Sequence, residues 1–287
     1  MKTSEEIKSM VRETYAGIAQ AGPQPSGQSC CGTQKGNVWF NEDYSKLEGY
    51  VADADLGLGC GIPVEFSKIK NGDVVIDLGS GAGNDAFIAR RQTGETGKVI
   101  GIDMTSEMID RARENNDKLG YNNVEFRLGE IEKLPVSANQ ADVIISNCVL
   151  NLVPDKQAAF LEIFRTLKPG GHFCVSDIVL SGPIPEKLRS VASMYAGCVS
   201  GAVQKEEYLN QIKSAGFDNI SINKERTIHI PQEVLAEHLT KEEMETLASA
   251  KLEVLSITVS GEKPSLKFLQ TEKAAAKEAC CAPGCCA

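Results

Sequence analysis

From residue 74 to residue 179 the chain alternates short apolar runs with longer amphipathic ones, and that alternation restricts the fold more than any other feature. VVIDL (74–78), KVIGID (98–103), VEFRLG (124–129), DVIISN (142–147) and HFCVSDIV (172–179) each read as a strand. DAFIARRQ, SEMIDRARENNDKLG and AAFLEIFRTLK lie between them and carry the helical period. Strands so continuously apolar are buried on both faces, as in a parallel sheet covered by helices. The pattern predicts an α/β chain built on a doubly wound parallel sheet. Lys168-Pro169-Gly170-Gly171 supplies the stop after the last of these helices.

The flanks are organised differently. Residues 1–20 read as a charged amphipathic helix, and AGPQPSGQSCCGTQKGN after it reads as a loop. Residues 185–215 read as helical. Beyond them FDNISIN and RTIHIP read as short strands and LTKEEMETLASAKLEVL as a helix, which together predict a smaller α+β C-terminal subdomain. TEKAAAKEACCAPGCCA has no core-forming pattern. The expected division is an N-terminal helix with substrate-covering loops over 1–70, a ligand-binding core over 71–225, the C-terminal subdomain over 226–270 and a flexible Cys-rich tail over 271–287.

A net charge of −9 and a sequence pI near 5.1 argue against nucleic acid or an anionic membrane as partner, since both require a basic surface. No apolar run approaches the roughly 18 residues that span a bilayer. The first helix lacks the apolar stretch and cleavage site of a signal peptide. A cytoplasmic enzyme or binding protein is the expectation.

VVIDL runs straight into Gly79-Ser80-Gly81-Ala82-Gly83 and then into a helix. Glycine is required where backbone turns tightly and approaches a ligand closely. A dinucleotide fingerprint would place its third glycine one residue later, at Asn84, so a pyrophosphate fits poorly. Asp103, at the end of the next strand, can accept hydrogen bonds from ribose hydroxyls. The pattern predicts a nucleoside ligand without pyrophosphate; a purely structural turn is the alternative. Through VIDLGSGAG, GIDMTSEMI, RLGEIEKLP and RTLKPGG, residues 70–180 resemble the class I S-adenosylmethionine-dependent methyltransferases, whose core is Rossmann-like. That resemblance implies S-adenosylmethionine as cofactor, with Asp77, Gly79 and Gly81 lining its methionine moiety and Asp103 holding its ribose. It further implies Met104 beside the adenine, Glu130 and Ile131 at the adenine edge, and Asn147 closing the site.

Ten cysteines accompany only three histidines. Cys30-Cys31, Cys280-Cys281 and Cys285-Cys286 are adjacent pairs, and Cys60, Cys148, Cys174 and Cys198 stand alone, a poor zinc pattern. In a reducing compartment such thiols more often bind metals or do redox chemistry than form structural disulfides. Cys174, inside a strand, reads as packing. Cys148 follows Asn147 at the carboxyl end of a strand, where open α/β sheets bind ligands. Cys198 falls in SMYAGCVSGA after the fifth strand, and Cys60 falls in LGLGCGIP, a mobile-looking Gly-rich loop. All three can reach the same sheet edge. None of His172, His229 and His238 is placed as a convincing general base. Soft ions select thiolates, and trivalent arsenic takes three sulfurs while keeping a lone pair.

GLGCGIP, SNCVLNLV and SMYAGCVSGAVQKEEYLNQIKSAGF make the chain similar to the arsenite methyltransferases. The similarity implies that Cys60, Cys148 and Cys198 bind As(III) and are catalytic, and that arsenite and methylarsenite are substrates. It also implies a thiol reductant, thioredoxin or glutathione, that restores the cysteines, and arsenic detoxification as the outcome. Cys30-Cys31 resembles a less uniform upstream thiol motif, and the tail resembles thiol-rich ends of part of that family. Two other classes remain: a methyltransferase for an organic carbon or oxygen acceptor such as a quinone or sterol, and a non-catalytic metalloid-binding protein.

Overall fold

The computed structural model describes residues 3–22, 42–182, 201–229, 240, 242–244 and 252–265. Five strands form where the apolar runs predict them: β1 (Val74–Leu78), β2 (Lys98–Asp103), β3 (Val124–Leu128), β4 (Ala141–Asn147) and β5 (Leu167–Ser181). Two more, β6 (Asp218–Ile228) and β7 (Glu253–Glu262), complete one seven-stranded sheet of order β3-β2-β1-β4-β5-β7-β6. The first five strands pair in parallel, whereas β7 runs antiparallel to both β5 and β6. The sheet is therefore Rossmann-like and mixed.

The far edge departs in detail from the sequence pattern. FDNISIN and the start of RTIHIP belong to one strand, β6, and the expected subdomain boundary at 226 falls inside it. β7 begins at Glu253, within the run read as helical up to Leu255. Its residues VLSITV are nearly all buried, because β7 lies between two other strands. Leu255, Ile257 and Val259 alternate with buried Ser256 and Thr258, the period of a strand, but the segment read as helical runs into it up to Leu255.

Alternate residues of the central strands feed two layers. Val75, Val99 and Val143 pack with Phe87 of α2 (Asn84–Thr93) and Ile109 of α3 (Ser106–Leu119). Ile76, Ile100 and Ile144 pack with Phe160 of α4 (Lys156–Thr166) and Tyr208 of α5 (Lys205–Ser214). The N-terminal helix α1 (Ser4–Ala21) starts with a capping box, Thr3 with Glu6, and packs on α3. Strand order reverses between β1 and β4, which opens a crevice at their carboxyl ends. Among the described residues no helix is long and apolar enough to cross a membrane.

Candidate active site

A cavity of about 1070 Å³, its open mouth included, lies at that crevice. Of the residues expected there, Asp77, Gly79, Gly81, Asp103, Met104, Ile131, Asn147 and Cys148 line it. Glu130 does not. Its carboxylate accepts hydrogen bonds from Lys8 Nζ at 2.7 Å and Arg12 Nη1 at 3.3 Å, both on α1, and Lys8 holds its pKa below the usual range. Glu132 lines the cavity instead, with Lys8 Nζ 3.3 Å away.

The glycine turn has the conformation the sequence demands. Gly79 and Gly81 have φ of +65° and +51°, and a Cβ on Gly79 would sit 2.4 Å from Val149 Cγ2. Both backbone angle and space require glycine at position 79. Asp103 Oδ2 accepts the Gly81 N–H at 3.0 Å and Oδ1 accepts the Thr105 N–H at 2.8 Å. The acid at the end of β2 thus holds the turn after β1.

Asp77 and Asp85 are buried beside this turn. Burial, then the neighbouring carboxylates of Asp85 and Asp103, raise the Asp77 pKa well above the carboxylate range. Burial pushes Asp85 up to about 6, against hydrogen bonds from Asn147 and Tyr44. Asp77 Oδ2, Ser80 Oγ and Asp85 Oδ1 are buried and find no hydrogen-bond partner among the described residues. Buried polar atoms are normally satisfied. A ligand carrying positive charge and N–H or O–H donors would satisfy these and relieve the repulsion among the three acids.

At the thiol end, Asn147 Oδ1 accepts the backbone N–H of Cys60 at 3.1 Å and of Gly61 at 3.3 Å. Asn147 Nδ2 donates to Gly61 O at 2.9 Å and Asp85 Oδ2 at 3.1 Å, and Tyr44 Oη donates to Gly61 O at 2.8 Å. Cys60 O accepts from Ser256 Oγ of β7 at 2.7 Å. The Cys60 loop, mobile-looking in sequence, is held on three sides. Its glycines permit the approach: a Cβ on Gly59 would lie 2.6 Å from Asn147 Nδ2, and one on Gly61 2.6 Å from Ser176 Oγ.

Cys148 takes a left-handed backbone, φ +61°, while its N–H donates to Ser176 O of β5 at 2.7 Å. An L-residue in that region marks a site worth attention. Cys60 and Cys148 are 0% and 2% exposed and share one apolar cluster with Ile178, Leu180, Ala202, Ile228 and Val254. Cys198 lies outside the described residues, as do Cys30, Cys31, His238 and the tail cysteines. Cys174 is buried within β5, and burial pushes its thiol up to about 12, as a packing residue requires.

Three features of the site escaped the sequence reading. Asp85 stood in view, a buried acid in the first turn of α2, where the helix dipole favours negative charge. Tyr44 carried no signal. Nor did Asp177, a fully buried acid on β5 that accepts from Tyr208 Oη at 2.8 Å and that burial pushes up to about 7.

Residues 69–216 match the model of a methyltransferase domain family. Over 235 residues the chain is 45% identical to the arsenite methyltransferase of Halobacterium salinarum, an alignment covering 76% of this chain and 59% of that protein. It is 31% identical over 236 residues to the arsenite methyltransferase of Aquipseudomonas alcaligenes, covering 80% and 67%. The X-ray structure of an arsenic(III) S-adenosylmethionine methyltransferase from Chlamydomonas reinhardtii matches with a TM-score of 0.60 at 32% identity, covering 70% of this chain and 66% of that one. The chain thus spans about three-fifths of the length of the Halobacterium relative.

Proposed function

The chain belongs to the arsenite methyltransferase family, and from that premise we propose that it transfers a methyl group from S-adenosylmethionine to trivalent arsenic held by cysteine thiolates. The observation that carries the reading is the joint burial of Cys60 and Cys148 in one cluster, with Cys148 also lining the cavity. An organic acceptor would need no such pair of thiols.

When bound, S-adenosylmethionine supplies an electrophilic methyl group on a cationic sulfonium. Its charge and its ammonium and hydroxyl donors suit the acidic wall of Asp77, Asp85 and Asp103 and the unpartnered atoms there. Gly79 and Gly81 let the backbone come close, Asp103 holds the ribose, and Met104 and Ile131 give the adenine an apolar wall. Glu132 replaces Glu130 at the adenine edge in this reading, since Lys8 and Arg12 occupy Glu130.

Cys60, Cys148 and Cys198 bind arsenic. Each S–H proton leaves with an arsenite hydroxyl as water, so three thiols displace three waters with no net proton release. Three sulfurs leave the arsenic lone pair at the apex as the nucleophile, and no general base is needed. Cys198 stands three residues before Gly201, whose neighbour Ala202 packs with Cys60 and Cys148. Three residues span at most about 11 Å, so the chain length allows the third thiol to join the pair. Fixing acceptor beside donor lowers the barrier by several kcal/mol, the order found for well-oriented reactants.

Methylation takes arsenic formally to the pentavalent state. Two thiols return it to the trivalent state by forming a disulfide, and thioredoxin or glutathione restores them by exchange. The outcome is a methylated arsenical and protection from arsenic in the cytoplasm. Arsenite-dependent production of S-adenosylhomocysteine by purified protein with glutathione tests this reading. Cofactor turnover with a quinone-like acceptor and none with arsenite would overturn it.

A further inference from the structure

Asp85 stands between the two halves of the site. Oδ1 is buried without a partner among the described residues, in a residue that lines the cavity. Oδ2 accepts from Asn147 Nδ2 at 3.1 Å and lies 3.3 Å from Tyr44 Oη. Those same two side chains grip the Cys60 loop: Asn147 holds the N–H groups of Cys60 and Gly61, and both hold Gly61 O. One residue therefore lines the ligand cavity and, through Oδ2, joins the clamp on a thiol loop.

We infer that Asp85 is a positioning residue that couples the sites: a cationic ligand in the cavity fixes the Asp85 carboxylate and, through its bond to Asn147, the clamp on the Cys60 loop. The inference rests on the cofactor reading above. Hydrogen bonds to an ionised acceptor are roughly twice as strong as those to a neutral one. A cation in the cavity also offsets the repulsion that Asp85 and Asp103 exert on the buried Asp77. Coupling of this kind is reciprocal, so thiol ligation at Cys60 also tightens cofactor binding.

Cys60 is fully buried, so its alkylation reports opening of the loop. The test is the rate of Cys60 modification by iodoacetamide on the full-length chain, located by peptide mass mapping so that the tail thiols do not interfere, without arsenic. Equilibrium dialysis with labelled S-adenosylmethionine establishes saturation in each protein. Saturating cofactor should slow wild-type Cys60 modification by roughly five-fold or more, the lower end of allosteric couplings. In Asp85→Asn the saturated and cofactor-free rates should agree within about two-fold. Tyr44→Phe, which removes one strut and leaves the carboxylate, should show an intermediate ratio. Protection that survives in saturated Asp85→Asn and in Tyr44→Phe would mean direct shielding and would overturn the coupling. A wild-type protein that binds cofactor but shows no protection would overturn it as well, while leaving the cofactor reading intact. No cofactor binding to the wild type would sink both.

Discussion

Asn147 accepts the backbone N–H of Cys60 at 3.1 Å, so the strand tip that leads into one buried thiol holds the loop that carries the other. The two cysteines are 88 positions apart in the chain (148 − 60), and the amide just before Cys148 sets where Cys60 stands. The thiol pair is thereby built on the sheet rather than on a loose loop.

Asn147→Ala should therefore separate the thiols without unfolding the sheet. Two buried N–H groups lose their acceptor, which costs about 1–3 kcal/mol each if nothing replaces it. The expected results are a lower urea midpoint and faster alkylation of Cys60 than of Cys174. Unchanged Cys60 reactivity would show that Ser256 and Tyr44 suffice to hold the loop.

Gly79→Ala should disrupt the turn from two directions, a left-handed φ and a clash with Val149. Overpacking of this kind destabilises by about 1–3 kcal/mol. Adding Val149→Ala should recover part of the loss, because it removes the two methyl contacts at 2.4 and 2.5 Å and leaves the Cβ contact at 2.9 Å with the backbone term. Equilibrium unfolding of the single and double variants measures this, and additive losses would place the whole effect in the backbone.

Asp103→Ala should weaken S-adenosylmethionine binding by about 1.5–3 kcal/mol, the range for hydrogen bonds to a charged group. Part of that loss comes through the turn, because Asp103 also holds the Gly81 N–H. Arsenite binding, followed by calorimetry without cofactor, should change little. Equal losses in both titrations would mean that the substitution disturbs the whole crevice.

Much of this was legible in residues 74–179. Five apolar runs gave five strands, and the glycine turn fell where VVIDL ends. Hydrophobic period and glycine conformation are local, so a sequence displays them directly. β7 was missed: its start was read as the end of a helix, and the burial of its polar Ser256 and Thr258 follows only from its place between β5 and β6. Glu130 and Glu132 are two acids in one short loop, both paired with Lys8, and only the folded loop shows that Glu132 is the one lining the cavity. Tyr44 and Asp177 work through partners far along the chain, which no spacing rule reveals.

Asp177 makes a pH prediction. Unfolded, this carboxyl titrates near 4; in the fold, burial raises it to about 7. Between those values the native state keeps a proton the unfolded chain has lost. Its contribution to stability therefore falls as pH rises from ~4 to ~7 and stays low above that. Asp177→Asn removes the titration, so the variant should gain on the wild type across this window, by on the order of a few kcal/mol at pH 8. Urea unfolding at pH 5 and pH 8 reads the difference. Parallel pH profiles would mean that Lys156 and Tyr208 already compensate the charge.

The most direct measurement supplies arsenite and methylarsenite separately, with fresh glutathione, to wild type and to Cys60→Ser, Cys148→Ser and Cys198→Ser, and identifies the arsenic products by chromatography and mass spectrometry. Arsenite can take three sulfurs, whereas methylarsenite, with one position held by carbon, can take two. The account predicts that Cys148→Ser and Cys198→Ser methylate neither arsenical, while Cys60→Ser fails on arsenite and still methylates methylarsenite. Methylation of arsenite at the wild-type rate by Cys148→Ser would contradict it, because the thiol that lines the cavity would then play no part in holding the arsenic.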